Sequence, residues 1–338
     1  MSRPSLFERL RIDPYIVAIV GMVALATVLP CRGETAHVMK GVTNWAIALL
    51  FFLYGGRLSR ESVLAGLTHW RLQLLVFLFV FVAFPVLGIA FGYLTRPLLS
   101  PQLSLGLVFL SMLPSTVQSS IAFTSIARGN VPAAVCCASV SNLAGVVITP
   151  LLVGLVLSVH GQGFDLHAIE SIATQLLLPF VAGQALRRWI GAWLQRNRRI
   201  LSYVDRGSIL LVVYTAFSDG MEHGIWHQLD AWNLAALLLI NMVLLATVLT
   251  ATTVLSRRLG FNKEDEITIV FCGSKKSLAS GVPMANILFA GGQVGLVILP
   301  LMLFHQIQLM ACAVIARRYA ARPESDPEPA AVPAGRRA

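Results

Sequence analysis

An apolar run at residues 268–289, TIVFCGSKKSLASGVPMANILF, is interrupted near its middle by Gly273-Ser274-Lys275-Lys276-Ser277. A lysine at the centre of a membrane-spanning helix costs roughly 2.5–3.5 kcal/mol, so an uncompensated pair opposes insertion by about 5–7 kcal/mol. Snorkelling is insufficient, because Lys275 lies about a dozen residues, or ~18 Å of helix, from the charged start at Lys263. Compensation must come from exposed backbone carbonyls, from a water-filled cavity or from a bound anion. All three make Gly273, Ser274, Lys275, Lys276 and Ser277 candidate substrate- or ion-binding residues.

A bilayer is the relevant solvent for the whole chain. Of its 338 residues, 56% are hydrophobic and 12% charged, whereas a soluble domain carries about 25% charged residues. The mean hydropathy is +0.74. About ten runs approach the ~20 apolar residues that cross a membrane. The net charge of +10 would suggest nucleic acid in a soluble protein; here it reports orientation through the positive-inside rule, and the expected partner is lipid. The first apolar run begins near Pro14 and lacks a small-residue cleavage site, so the first helix itself is expected to direct insertion. Four of the five cysteines, Cys136, Cys137, Cys272 and Cys312, fall in apolar runs without metal-ligand spacing and read as small core residues. The residues call for no metal or cofactor.

The spacing predicts spans at about 14–30, 41–56, 72–95, 103–127, 131–159, 168–186, a seventh ending near Phe217, 231–255, 268–289 and 293–316. Residues 1–13 read as a cytoplasmic amino terminus, 58–70 as a surface-lying stretch and 317–338 as a disordered cytoplasmic tail. Arg187, Arg188, Arg196, Arg198, Arg199 and Arg206 read as a solvated basic connector. Pro85 in the third span is tolerated if a neighbour satisfies the carbonyl it frees. The fourth span carries Leu113-Pro114-Ser115-Thr116-Val117-Gln118-Ser119-Ser120 at its centre. A helix broken there exposes polar backbone at mid-membrane, and a kinked helix with back-bonded serines is the simpler alternative. Ser115, Thr116, Gln118, Ser119 and Ser120 are candidates on this segment, and Ser139 and Asn142, near Ser141, on the fifth span.

With the amino terminus inside and sides alternating over ten spans, every Lys and Arg is cytoplasmic except Arg32, Lys40, Arg96 and the midplane pair. That asymmetry supports ten spans with both termini inside. None of the acidic residues reaches a midplane position, so the lysines have no carboxylate partner there. A short repeat, Ala127-Arg128-Gly129-Asn130-Val131 and Ala290-Gly291-Gly292-Gln293-Val294, follows the two interrupted spans. The copies lie five spans apart and thus on opposite faces, as two inverted five-helix halves (14–160 and 168–316) require. In such proteins the broken helices meet near the midplane, where the amino termini of the half-helices favour anions and their carboxyl-terminal carbonyls favour cations.

Cys272-Gly273-Ser274-Lys275-Lys276-Ser277-Leu278-Ala279-Ser280-Gly281-Val282-Pro283 resembles the signature of the symporter-like branch of the bile acid:sodium symporter family. The resemblance covers essentially residues 14–316. It implies an all-α integral membrane protein of ten helices, divided into a panel and a core, with broken helices four and nine crossing in the core. It also implies a bacterial inner-membrane location and transport of a small organic anion with sodium. Aligned on Gly273, the acidic sodium ligand of the family falls at Phe271 and the next glutamine ligand at Lys275. A third-helix glutamine falls at Val80, and two fifth-helix hydroxyl ligands fall at Ala134 and Ala138. Ser119 and Ser120 remain polar.

The expected function is therefore transport of an organic anion in which an ammonium of Lys275 or Lys276 stands in for sodium by capping carbonyls of the first half of helix nine, with proton coupling or direct substrate binding as further alternatives. A membrane-embedded regulatory or scaffold protein without transport is the competing reading. His305, Gln306 and Gln308 on the tenth span read as structural contacts, since no nucleophile, base and orienting group accompany them, and no catalytic activity is expected.

Overall fold

The structure, a computed structural model, describes residues 14–57, 69–159, 173–222, 230–289 and 294–322. Every regular element among them is helical. Helices α1 (Pro14–Val28) and α2 (Gly33–Arg57) precede α3 (Trp70–Leu78), which passes through a π turn (Phe79–Ala83) into α4 (Phe84–Leu94). The short helices α5 (Pro101–Ser111) and α6 (Val117–Ile126) are followed by the long α7 (Val131–Val159). A second π turn (Ala173–Leu177) leads into α8 (Leu178–Arg196) and α9 (Arg198–Glu222). The chain ends with α10 (Ala231–Arg258), the short pair α11 (Lys263–Gly273) and α12 (Leu278–Leu288), and α13 (Val294–Ala320).

Among the described residues, six helices are long and apolar enough to cross a bilayer. Their outer faces carry exposed Val86, Tyr93, Leu151, Leu239 and Met310. Such a surface matches hydrocarbon and is unfavourable in water. The chain is a multi-pass membrane protein.

Local chemistry sets the ends of the short helices. Ser100 caps α5 by accepting from Leu103 N, with Pro101 in the first turn. Asn262 caps α11 by accepting from Asp265 N at 2.8 Å, and Glu264, Asp265 and Glu266 fill its first turn, where negative charge is favoured. Ser277 caps α12 through Ser280 N. The carboxylate of Glu266 accepts from Arg257 of α10, Lys263 and Tyr319 of α13 at 2.8–3.1 Å, joining three helices on one side of the molecule.

Helix α2 lies against α8 with backbones in close approach. A β-carbon on Gly183 would collide with the carbonyl of Phe52, and one on Gly55 with the carbonyl of Phe180. Close approach of this kind is how helices gain packing in lipid, where burial of apolar surface gives no drive. Helix α9 is tied to α2 by the bidentate pair of Arg57 and Asp205, at 2.6 and 3.3 Å. We expect Gly183→Val to separate α2 from α8 and cost ~3 kcal/mol of stability. Gly41→Ala, where a β-carbon meets nothing within 4 Å, should be neutral or slightly stabilising; equal melting temperatures for the two variants would refute the close-packing argument.

Two expectations are corrected. The basic connector is not a loop: Arg187, Arg188 and Arg196 lie on α8 and Arg199 and Arg206 on α9, separated only by a short turn at Asn197. The reason is the apolar residues at helical spacing between the arginines, since Leu194 and Leu201 are buried against Leu53, with Ile190 and Val204 beside them. The last helix also continues through Ala320, past the boundary expected at 316. The amino terminus (1–13), residues 58–68 of the surface-lying stretch, residues 290–293 of the second repeat copy and the tail beyond 322 lie outside the described residues.

Candidate functional site

The site grows from two interruptions. Between α5 and α6, residues Met112 to Thr116 leave the helix, and Thr116 is extended. Between α11 and α12, residues Ser274 to Ser277 do the same. The interruptions touch: Ser277 N donates to the carbonyl of Pro114 at 2.9 Å. Helix α7 braces the first break, where Thr149 Oγ1 donates to the Met112 carbonyl at 2.8 Å and Ser141 Oγ accepts from Ser115 N at 3.0 Å. It braces the second as well, since Asn142 Oδ1 accepts from Ser280 Oγ at 2.8 Å.

Both lysines are fully buried. Lys276 Nζ donates to the carbonyls of Val80 at 2.9 Å and Leu113 at 2.8 Å, with the Phe84 ring 4.2 Å away. Each acceptor has a covalent reason to need a donor. In the π turn, Phe84 N bonds to Phe79 O, five residues back. By that register the partner of the Val80 carbonyl would be Pro85, which has no N–H. The Leu113 carbonyl lies past the end of α5, where the chain has left helical geometry. Lys276 thus supplies the donor that Pro85 removes, which is the neighbour that the proline requires in a membrane.

The peptide of Lys276 is held as well. Gln308 of α13 accepts from Lys276 N through Oε1 at 3.0 Å and donates through Nε2 to Lys276 O at 3.0 Å. His305 Nδ1 lies 2.9 Å from the same Nε2. Lys275 has a different setting. Its Nζ donates to the Ser119 carbonyl at 2.8 Å and lies 3.8 Å from the Phe123 ring centre and 5.3 Å from that of Phe271.

Of the three means of compensating the lysines, the structure therefore uses backbone carbonyls, assisted by aromatic faces, but they belong to Val80, Leu113 and Ser119 and not, as expected, to the first half of helix nine, where Ser120 Oγ takes the Phe271 carbonyl. The serine cluster is brought to the same place. Ser120 Oγ donates to the Phe271 carbonyl at 3.1 Å and lies 3.4 Å from Ser115 Oγ, and Thr116 Oγ1 is 2.7 Å from Ser119 Oγ. Ser274 bonds back to the Val270 carbonyl at 2.6 Å, and Gly273 ends α11 against Phe79 and Thr252. Gln118 is exposed and Ser139 half-buried, and neither side chain joins this network.

Sequence reasoning did not place Phe84, Phe123 or Ser141 in the site, reached Val80 and Phe271 only as positions aligned with sodium ligands and not as a carbonyl acceptor and an aromatic face, and treated Gln308 as a structural contact. Pro85, five residues after Val80, was the available signal for the carbonyl. Among the described residues no group of three or more His, Cys, Asp or Glu side chains is arranged to hold a metal ion.

Residues 13–321 match the model of the SBF-like CPA transporter family (DUF4137). The chain belongs to that family. It is 61% identical over 323 residues to an uncharacterized protein, PA2026, of Pseudomonas aeruginosa, covering 95% of this chain and 96% of the relative. It is 52% identical to YfeH of Escherichia coli, named as a candidate symporter, over 91% of this chain and 93% of that protein. It is 30% identical to sodium/bile acid cotransporter 7-B of Xenopus laevis over 92% of each chain. The SBF-like assignment places the chain among membrane transporters and agrees with the resemblance carried by the motif at 272–283. In this SBF-like chain, both interruptions and the lysine pair lie inside the matched region.

Proposed function

We propose that this SBF-like protein is a secondary transporter that moves a small organic anion by alternating access, without requiring sodium. The observation that carries the reading is Lys276 Nζ, held by the Leu113 carbonyl past the end of α5 and by the Val80 carbonyl in the π turn between α3 and α4. A cation bound by backbone carbonyls at helix ends is the arrangement that a coupling sodium takes up in transporters with interrupted helices. Here a covalently attached ammonium fills that role. Phe271, Val80, Ala134 and Ala138, which align with sodium ligands of the resembled family, are buried apolar side chains.

The proposed topology has ten crossings in two inverted halves. α3 with α4, α5 with α6, and α11 with α12 each count as one crossing, so helices four and nine are the broken ones. A core built on the two breaks moves against a panel of α1, α2, α8 and α9, in a bacterial inner membrane with both termini cytoplasmic. Support comes from the distribution of basic residues and from the Pro114–Ser277 contact between the breaks. The anionic substrate is supported by the two ammonium groups and by the amino-terminal ends of α6 and α12, which carry partial positive charge. The bile acid in the name of the Xenopus relative is one such anion.

The test is uptake of radiolabelled benzoate and cholate into vesicles holding the purified full-length protein. Uptake of at least one should persist when sodium is replaced by choline or potassium. An absolute sodium requirement would remove the ammonium from this role, and failure to move any organic anion would favour a regulatory protein without transport.

A further inference from the structure

The two lysines are adjacent and equally buried, yet their surroundings differ in one respect that matters for a ligand. Lys276 cannot leave without exposing polar backbone. Its ammonium holds two carbonyls that lack helical donors, and its peptide is clasped on both sides by Gln308. Lys275 holds one carbonyl, that of Ser119, inside the continuous helix Val117–Ile126. Helical register already pairs that carbonyl with Phe123 N. The ammonium also meets the faces of Phe123 and Phe271, which need no hydrogen-bond donor when vacated, and lies near the thiols of Cys312 and Cys272. An ammonium has three donors. Among the described residues, one carbonyl, that of Ser119, engages Lys275, and that carbonyl has a second partner.

The aromatic contacts also continue beyond the ammonium. Phe123 and Phe271 are 6.0 Å apart, Tyr319 meets Phe271 edge-on at 6.3 Å, and the Tyr319 hydroxyl donates to Glu266 at 2.9 Å. Lys275 therefore lies beneath a stack that ends at the charged side of the molecule where α11 begins. We infer that Lys275 is the ammonium that receives the anion, whereas Lys276 remains a fixed structural cation. The inference rests on the transport reading above and narrows its substrate class. Apolar rings beside one ammonium suit a carboxylate or sulfate attached to an apolar body.

The test uses the full-length protein in lipid nanodiscs and 4-formylbenzoate, a carboxylate whose aldehyde condenses with a lysine amine with loss of water. Borohydride fixes the imine, and peptide mass spectrometry locates it. Labelling at Lys275 should exceed that at Lys276 by ~10-fold or more, the discrimination given by about 1.4 kcal/mol. Benzoate should suppress it, and neutral benzaldehyde should label Lys275 less. Equal or greater labelling of Lys276, or labelling of neither, overturns the assignment. Lys275→Met should lose the benzoate-protected label and still melt within about 2 °C of the unsubstituted protein; a larger drop would mean that Lys275 holds backbone as Lys276 does. Labelling requires no transport, so failed uptake with Lys275 selectively labelled would sink the transport reading alone.

Discussion

Lys276→Met is expected to lower the melting temperature by roughly 5 °C and to abolish any uptake the protein supports. The substitution leaves the carbonyls of Val80 and Leu113 buried without donors, at ~1–3 kcal/mol each. Relief from burying an ammonium offsets part of that cost, so the net loss is about 2 kcal/mol or more, given that two charge-assisted bonds and an aromatic contact disappear together. The four buried cysteines, Cys136, Cys137, Cys272 and Cys312, allow a thiol-reactive dye to report the transition. A second substitution sharpens the test: Pro85→Ala returns an N–H to the π turn at the register of the Val80 carbonyl. In the Lys276→Met background it should restore part of the lost stability, a coupling that a double-mutant cycle measures. An unchanged melting temperature for Lys276→Met, or no coupling to Pro85, would remove Lys276 from its structural role.

Gln308→Leu should have an effect of similar size without altering any charge. The side chain is fully buried and satisfies the N–H and the C=O of one peptide, that of Lys276. Leucine fills a similar volume but leaves both groups unpaired, so about 2–4 kcal/mol is lost and the break between α11 and α12 loosens. Hydrogen exchange at residues 274–278 would rise in the variant while the middle of α10 stays protected. Gln308→Glu keeps the acceptor toward Lys276 N and removes the donor toward Lys276 O, and should fall between the two. A leucine variant as protected as the unsubstituted protein would show that the clasp is incidental.

These two residues show how much of the site could be read from letters alone. Lys275 and Lys276 were conspicuous because charge inside an apolar run has a known cost and demands a partner. Their partners were not, because a backbone carbonyl is carried by every residue and becomes available only where helical bonding fails. For Val80 the failure is written in Pro85, but it takes the π turn, a matter of register, to move the orphaned acceptor to Val80. Ser115, Thr116, Ser119 and Ser120 were found because five polar residues crowd one break, whereas Gln308 looked like one more polar residue on a long helix. Arg187 to Arg206 were misread for the converse reason: dense charge suggested solvent, and the apolar residues threaded between the arginines carry the helix. The fold was legible as far as its all-helical class and the two interruptions, because both follow from hydropathy and proline placement.

The reliance on carbonyl dipoles instead of carboxylates has an electrical consequence. Dipoles hold a cation without neutralising it, so with both ammonium groups charged the place where the two breaks touch carries buried positive charge, which the proposed topology sets at bilayer depth. A membrane voltage acts on such charge at about 2.3 kcal/mol per elementary charge for each 100 mV fully traversed. A shift of the breaks between the two faces would register as a gating current in the empty protein. An anion seated at Lys275 would shrink that current by the charge it brings, so electrophysiology can count the substrate's charge before its chemistry is known.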